Sequence, residues 1–242
     1  FNIDERDLLR PDVSTQELSL VALKTIGFDP NRWFVILHVK EDKLGYQISG
    51  ETRDASVLDY HVACSAVNDL GGQVVRMGQT SFPKLPESFP AIDYAHSQIR
   101  RDYIDYWLWA NCSYWVGNCN GASVAVIPFG KPRLVSNQWP MDPNGPSKDF
   151  VLPKLLFSER ENRYLSFQDI VDHDFGRIMN RSLLARRDLS LVNNPPEVIA
   201  NSLLELVNRN DSAEKSFTHQ ATDSALYSAT NTLFNTPRMS LS

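Results

Sequence analysis

A doubly wound α/β architecture, a mostly parallel sheet with helices on both faces, is the fold this 242-residue chain predicts. Three observations carry it. Trp33 to Val39 is a near-continuous apolar run, the mark of a strand buried on both faces. A helix-period stripe and a second apolar run follow at the length of a parallel crossover. The alternation of strand and helix then repeats as far as Asn137.

Taken in order, residues 1–32 read as a lead-in. Ser14 followed by Glu17 is a capping-box pattern, and Leu18, Leu20, Val21 and Leu23 give a short helix its apolar face, stopped by Gly27 and Pro30. A loop from Lys40 to Thr52 follows the first strand. Val57, Tyr60, Cys64, Val67 and Leu70 then recur at helix spacing, Gly71-Gly72 ends the helix, and Gln73 to Gly78 is the second strand.

Pro83, Pro86 and Pro90 mark a loop before a short strand at Ala91–Asp93. Ile99, Tyr103, Tyr106 and Ala110 outline a helix and Tyr114–Val116 a strand. Gly117 to Ser123 is a turn into a helix ending near Gly130–Pro132, and Arg133–Asn137 is one more strand. The Rossmann-like domain is expected over 33–210.

Beyond Trp139 dense punctuation (Pro140, Pro143, Gly145, Pro146) gives way to short helical pieces, Ser166 with Asp169 being one cap. Asn194-Pro-Pro-Glu197 opens a helix bearing Ile199, Leu203, Leu206 and Val207. Residues 211–242 hold 11 Ser or Thr with little apolar periodicity and read as a polar tail.

Composition narrows the function classes. Apolar residues make up 42% and charged residues 22%, so disorder and fibrous repeats are excluded. With 24 basic and 29 acidic residues the net charge is −5, which argues against a dedicated nucleic-acid or anionic-membrane surface but leaves room for a small basic pocket. Cys64, Cys112 and Cys119 form no CxxC pair and no ligand spacing with the histidines, so no metal is expected, and so few cysteines fit a reducing compartment. The sequons at Asn111 and Asn180 then carry no meaning. A start at Phe1 rather than Met reads as a piece cut from a longer protein.

From Tyr106 to Gly130 there are 25 residues without a charge, and Gly117-x-x-x-Gly121 imitates a membrane helix-pair motif. Asn111, Ser113, Asn118 and Asn120 would be costly in lipid, so a helix end, a strand, a turn and a second helix account for the run instead. The six aromatics from Tyr103 to Trp115 suit a core better than a sugar platform.

In an open parallel sheet, ligands bind beyond the carboxyl ends of the strands. His38 and Lys40 stand there after the first strand, and alternation puts them on one side. His38 suits a base or hydrogen-bond donor, and equally a core histidine; Lys40 suits a phosphate contact, and equally a solvated lysine. Arg76, closing the second strand, suits bidentate phosphate recognition or an ion pair with Asp54 or Asp93. The turn Gly117-Asn-Cys-Asn-Gly-Ala-Ser123 offers free amides at a helix start, an anion site generic to such folds.

Several motifs are absent or coincidental. There is no Walker loop, no Gly-x-Gly-x-x-Gly and no Gly-x-Ser-x-Gly elbow. Asp174-Phe-Gly176 lacks the other kinase elements, and Asp172-His-Asp174 closes a short helix rather than a strand.

The succession Leu37-His-Val-Lys-Glu41, Arg53-Asp54 and Gly72-x-Val-Val-Arg-Met-Gly78 resembles a group of bacterial glycosyltransferases from surface-polysaccharide loci. So does the further succession Asp93-Tyr-Ala-His-Ser97, Arg101-Asp102-x-x-Asp105, Val116-Gly-x-x-x-Gly121, Gly130-x-Pro132 and Asn137. The likeness runs from about Trp33 to Asn137 and more loosely to Glu197. It implies a GT-B architecture of two Rossmann-like domains, of which this chain is the C-terminal, donor-binding half, with the acceptor half missing. It implies a nucleotide-sugar donor, no metal or other cofactor, a glycan or lipid-linked acceptor, and a place in the cytoplasm or peripherally at the inner membrane.

On that resemblance His38, Lys40 and Arg76 are the expected catalytic residues. Arg53, Asp93, Tyr94, Ser97, Asn118, Asn120, Gly121, Ala122, Ser123 and Asn137 are the expected donor contacts. Lys40 stands where arginine is usual, and Asn118, Cys119 and Asn120 replace the usual Thr or Ser. Departure of a sugar from a diphosphate needs charge stabilisation on the leaving group and no covalent help, which Lys40, Arg76 and the helix start at Gly121 would supply. The base for the acceptor hydroxyl is His38 or a carboxylate on the absent half. A nucleotide-sugar epimerase of the same two-domain build and a non-catalytic module binding a sugar nucleotide or a partner are the alternatives.

Overall fold

The computed structural model describes residues 9–41, 52–141 and 149–213. The expected loop over Lys40–Thr52, the punctuation at Pro143–Pro146, the start of the lead-in and the tail beyond Ala213 lie wholly or largely outside them.

Five parallel strands make the main sheet: β1 (Phe34–His38), β2 (Gln73–Arg76), β3 (Tyr114–Asn118), β4 (Arg133–Gln138) and β5 (Phe150–Pro153), in the order β2-β1-β3-β4-β5. The short strand expected at Ala91–Asp93 reduces to one parallel bridge, Val75 with Ile92, at the β2 edge. Pro90 before it removes a ladder donor, and Asp93 after it turns to another partner. Counting that bridge, the order is that of a Rossmann sheet, and strand order reverses between β1 and β3.

Alternation along β1 sorts the two cores. Val35 and Leu37 face α2 (His61–Asp69) and α7 (Pro196–Ala213), meeting Ala63, Cys64, Val67, Leu203 and Leu206. Phe34 and Ile36 face α1 (Val13–Lys24) and α3 (Asp102–Asn111), meeting Leu23, Ile104, Trp107 and Leu108. Helices therefore cover both faces, which is the doubly wound layout. Burying each such side chain removes apolar surface worth roughly 1.5–3 kcal/mol. The aromatics of 103–115 are mostly core, with Trp115 fully enclosed and Tyr103 at the surface.

The caps are local chemistry. Asp12, not Ser14, caps α1 through the Thr15 amide, because the helix starts two residues earlier than the Ser14–Glu17 pattern indicates. The helix expected from Gly121 to Gly130 is only α4 (Ala122–Ala125) and a 3-10 turn, Ile127–Phe129, since Pro128 cannot continue an α-ladder.

The larger departure lies after β5. In place of short helical pieces alone, β6 (Leu155–Ser158), β7 (Arg163–Tyr164) and β8 (Leu189–Val192) form an antiparallel sheet in the order β7-β6-β8. With α5 (Phe167–Asp172) and α6 (Arg181–Ala185) it encloses its own core of Trp139, Leu156, Leu165, Ile170, Leu184 and Leu189. The span 33–210 is thus a parallel sheet interrupted by a small antiparallel unit. Ser166 and Asp169 do form the expected capping box. Among the described residues no helix is long and apolar enough to cross a membrane.

Candidate functional site

The carboxyl ends of β1 and β3 part at the reversal of strand order, and the chemistry expected of this chain gathers there. His38 pairs in register with Gly117. A Cβ on Gly117 would clash with the His38 carbonyl oxygen, so only glycine lets the two backbones approach this closely.

Asn118 occupies the parting itself. It is fully buried; its Oδ1 accepts from the Lys40 amide at 2.7 Å, and its Nδ2 donates to the carbonyls of Lys40 at 2.8 Å and Arg53 at 2.9 Å. Its Oδ1 also accepts from Asn120 Nδ2 at 3.0 Å, so the amide is spent on the chain after β1 and on the turn after β3, not on a ligand. Arg53 enters the site through its carbonyl.

The turn that follows is similarly committed. Asn120 donates from Nδ2 to the Asn118 carbonyl at 2.8 Å, and its Oδ1 accepts from the Ala122 amide at 2.9 Å. The Ser123 amide and hydroxyl both donate to the Asn120 carbonyl. Of the cradle expected from Gly121, Ala122 and Ser123, the Ala122 and Ser123 amides are therefore spent internally, and the four residues of α4 are too short a helix for an appreciable dipole.

Arg76 takes the ion-pair alternative. Its register partner is Leu37, so it lies on the α2 face, opposite to His38. The guanidinium is buried: Nη1 donates to Asp93 Oδ1 at 3.0 Å and to His96 Nδ1 at 2.9 Å, and Nη2 donates to the Pro83 carbonyl at 3.1 Å. His96 joins the cluster on both sides: Nε2 lies 3.0 Å from the Phe82 carbonyl, and Nδ1 lies 3.0 Å from Asp93 Oδ2 as well as beside Arg76. Glu41 Oε2 lies 3.9 Å from Nη2. Arg76 and Asp93 thus pin the loop after β2, and neither is presented to a donor. Burial pushes the Glu41 carboxyl up, with Arg76 opposing it.

Tyr94 and Ser97 are also structural. The Tyr94 hydroxyl donates to Asp105 at 2.7 Å within the α3-side core, and Ser97 Oγ donates to the Tyr94 carbonyl. Desolvation, then the Asp105 contact, raises the Tyr94 phenol.

His38 and Lys40 remain at the mouth. Burial, followed by the charges of Arg76 and Arg100, holds the His38 imidazole at about 4, so it is neutral near pH 7, and its Nδ1 is buried without a hydrogen-bond partner. A neutral ring can accept a proton, though weakly at a pKa held this low. Lys40 is half-buried, with Nζ 3.6 Å from Asp54 Oδ1. Four of the six orphaned buried polar atoms among the described residues belong to His38, Glu41, Asp54 and Arg76, all beside the carboxyl ends of β1 and β2.

A polar layer the sequence reading missed continues beneath β4 and β5. Tyr60 Oη and Ser136 Oγ are 2.8 Å apart, and Asn137, the last expected donor contact, is completely buried with φ +52°. Asn137 exchanges backbone-to-side-chain bonds with Asn194. Lys154 is buried too, donating to the Asp54 carbonyl at 2.5 Å and Asn193 Oδ1 at 2.9 Å; burial, with Arg181 adding to it, lowers its ammonium to about 7. A single charge within the apolar run Phe150–Ser158 was the signal for it. Among the described residues no cluster of His, Cys, Asp and Glu has the makings of a metal site.

No family model and no curated protein matches the chain. Solved structures do. A histidine-to-alanine variant of the wall teichoic acid polymerase TagF matches at TM-score 0.38 and 9% identity, covering 55% of this chain and 32% of that one. The E. coli ADP-heptose LPS heptosyltransferase II matches at TM-score 0.46 and 15% identity, covering 84% of this chain and 54% of that one. This chain spans about a third and about half of their lengths. Likeness at this level carries no argument about chemistry.

Proposed function

We propose that the chain is the donor-binding half of a glycosyltransferase, moving a sugar from a nucleotide-activated donor to an envelope glycan or lipid-linked acceptor. The observation that carries this reading is the grouping of His38 and Lys40 at the mouth where β1 and β3 part, the position at which parallel sheets bind nucleotides. The motif succession from Leu37 to Asn137 supports it.

The roles differ from those first expected. Lys40 is the cation for the donor diphosphate, while Arg76, Asp93 and Asn118 are positioning residues that shape the loops around it. His38, neutral and with Nδ1 unpartnered, is the base contributed by this half.

Thermal denaturation with uridine, guanosine, cytidine and adenosine diphosphates tests this. At least one diphosphate raises the midpoint, and Lys40→Ala abolishes the rise while melting like the parent without ligand. No shift with any of the four overturns the reading.

A second reading, a non-catalytic sugar-nucleotide module, is favoured by the committed turn amides at Ala122 and Ser123. Donor binding by the full-length protein without turnover on any lipid-linked acceptor decides for it.

A further inference from the structure

Lys154 is a buried cation that sugar transfer as described leaves without a task. The residue is 1% exposed and stands in the otherwise apolar run Phe150–Ser158. Methionine or leucine would fill the same place without desolvating a charge, so a lysine here calls for a reason.

Its surroundings supply one. The Lys154 amide donates to the Gln138 carbonyl at 3.1 Å, which seats the residue at the carboxyl end of β4. From there Nζ crosses to the chain after β1, donating to the Asp54 carbonyl at 2.5 Å and to Asn193 Oδ1 at 2.9 Å. Asn193 donates in turn from Nδ2 to Asp59 Oδ2 at 3.3 Å. The same Asp54 has its carboxylate Oδ1 3.6 Å from Lys40 Nζ, and that oxygen is buried and accepts no hydrogen bond. Two lysines from separate elements thus meet on one residue, Lys154 at its backbone and Lys40 at its side chain.

Exposure and charge divide the work between them. The Lys40 side chain keeps 27% of its surface and can meet a ligand, whereas Lys154 cannot. The charged groups facing Lys154 are Asp54 after β1, Asp59 before α2 and Arg181 on α6. Burial, then Arg181, lowers the Lys154 ammonium to about 7, and the two carboxylates oppose that lowering. A diphosphate arriving at Lys40 adds negative charge and tips Lys154 toward its protonated form near neutral pH.

We propose that Lys154 is a positioning residue, fixing Asp54 and through Asp54 the Lys40 ammonium at the mouth where the donor diphosphate binds. The diphosphate rests on the donor-binding reading, whereas the link from Lys154 through Asp54 to Lys40 is present without any ligand.

A ligand-free measurement comes first. The full chain is treated with a water-soluble acetylating reagent, and mass spectrometry follows each lysine. Lys154→Met raises the Lys40 rate about threefold or more, while exposed Lys24 at the end of α1 keeps the parental rate. Asp54→Asn, which retains the carbonyl but cuts the link, raises the Lys40 rate similarly, and adding Lys154→Met to it changes nothing further. Calorimetry with a diphosphate that shifts the melt, in buffers of different ionisation heat, gives the second readout. Lys154→Met binds about tenfold more weakly and takes up fewer protons on binding near pH 7 than the parent does. A lysine that only filled space would leave that proton count unchanged. Failure of all four diphosphates to bind the parent sinks the donor-binding reading, and the Lys40 rates then decide for or against the link. Parental Lys40 rates in either single variant, an increase shared equally by Lys24, or equal proton uptake by parent and Lys154→Met each overturns the proposal.

Discussion

Asn137 and Asn194, far apart in sequence, hold each other by two reciprocal bonds: the Asn137 amide donates to Asn194 Oδ1 at 2.7 Å, and the Asn194 amide donates to Asn137 Oδ1 at 2.6 Å. The pair locks the carboxyl end of β4 to the segment entering α7, and it keeps Asn137 in the left-handed region, where asparagine is among the few tolerated side chains. Asn194 also donates from Nδ2 to the Pro153 carbonyl at 2.8 Å.

Asn194→Ala therefore lowers the unfolding free energy by about 2–4 kcal/mol, since it strands two backbone groups together, the Asn137 amide and the Pro153 carbonyl. Asn137→Ala removes a different bond, the one its Oδ1 accepts from the Asn194 backbone amide, so the double variant loses more than either single one. Urea unfolding followed by circular dichroism measures both.

Arg76→Ala lowers stability by about 3–5 kcal/mol without any ligand present, because Asp93 loses its fully buried cationic partner and the Pro83 carbonyl loses its donor. Pairing Arg76→Met with Asp93→Asn recovers part of the loss. A guanidinium reserved for a diphosphate would instead leave ligand-free melting unchanged, so the melt of the single variant decides between the two roles.

Gly117→Ala strikes the His38 carbonyl and yields little soluble protein, or a chain with faster amide exchange across Leu37–Val39. Gly121→Ala is the matched control. Its backbone is already in the right-handed helical region, and an added methyl meets nothing within 4 Å, so melting stays level or rises slightly.

Acid destabilises the fold through His38. The folded imidazole sits at about 4 against 6.5 for an unhindered ring, so between those values the unfolded chain binds more protons, and stability falls as pH drops through that window. His38→Gln removes this acid limb. The difference between parent and variant grows by up to about 3 kcal/mol from pH 6.5 to 4. Lys154 has the same sign at higher pH: its ammonium is lowered from 10.5 to about 7, so stability rises as pH climbs from 7 to 10.5. Lys154→Met flattens that rise. Thermal melts across the two windows check both slopes.

The layering was legible in the sequence because β1, β3 and β4 are apolar runs and α2 and α7 carry helix-spaced stripes, signals local to each segment. The antiparallel unit was not. β6 is a four-residue run with no alternation to announce one solvent face, and β7 is only two residues long. The site was legible as a place but not as a set of roles. Alternation within β1 separates His38 from Leu37, yet only the register with β2 reveals that Arg76 shares Leu37's face. Likewise, the composition of the 117–123 turn announces free amides, while the side chain of Asn120 decides that the Ala122 amide is taken. Partners distant in sequence, such as Asn118 with Lys40 or Asn137 with Asn194, leave no periodic trace.

The antiparallel unit departs and returns through one doorway. Lys154 at its entry donates to Asn193 at its exit, and Asn194 reaches back to Pro153. The strands and helices of the main sheet close around that doorway as though the chain had never left, with α7 seated against the face that β1 and α2 had prepared. An excursion hinged so tightly can be shortened, lengthened or exchanged for another without redrawing the nucleus from which it springs, which makes this outboard lobe the segment free to diverge while the sheet beneath it stays the same.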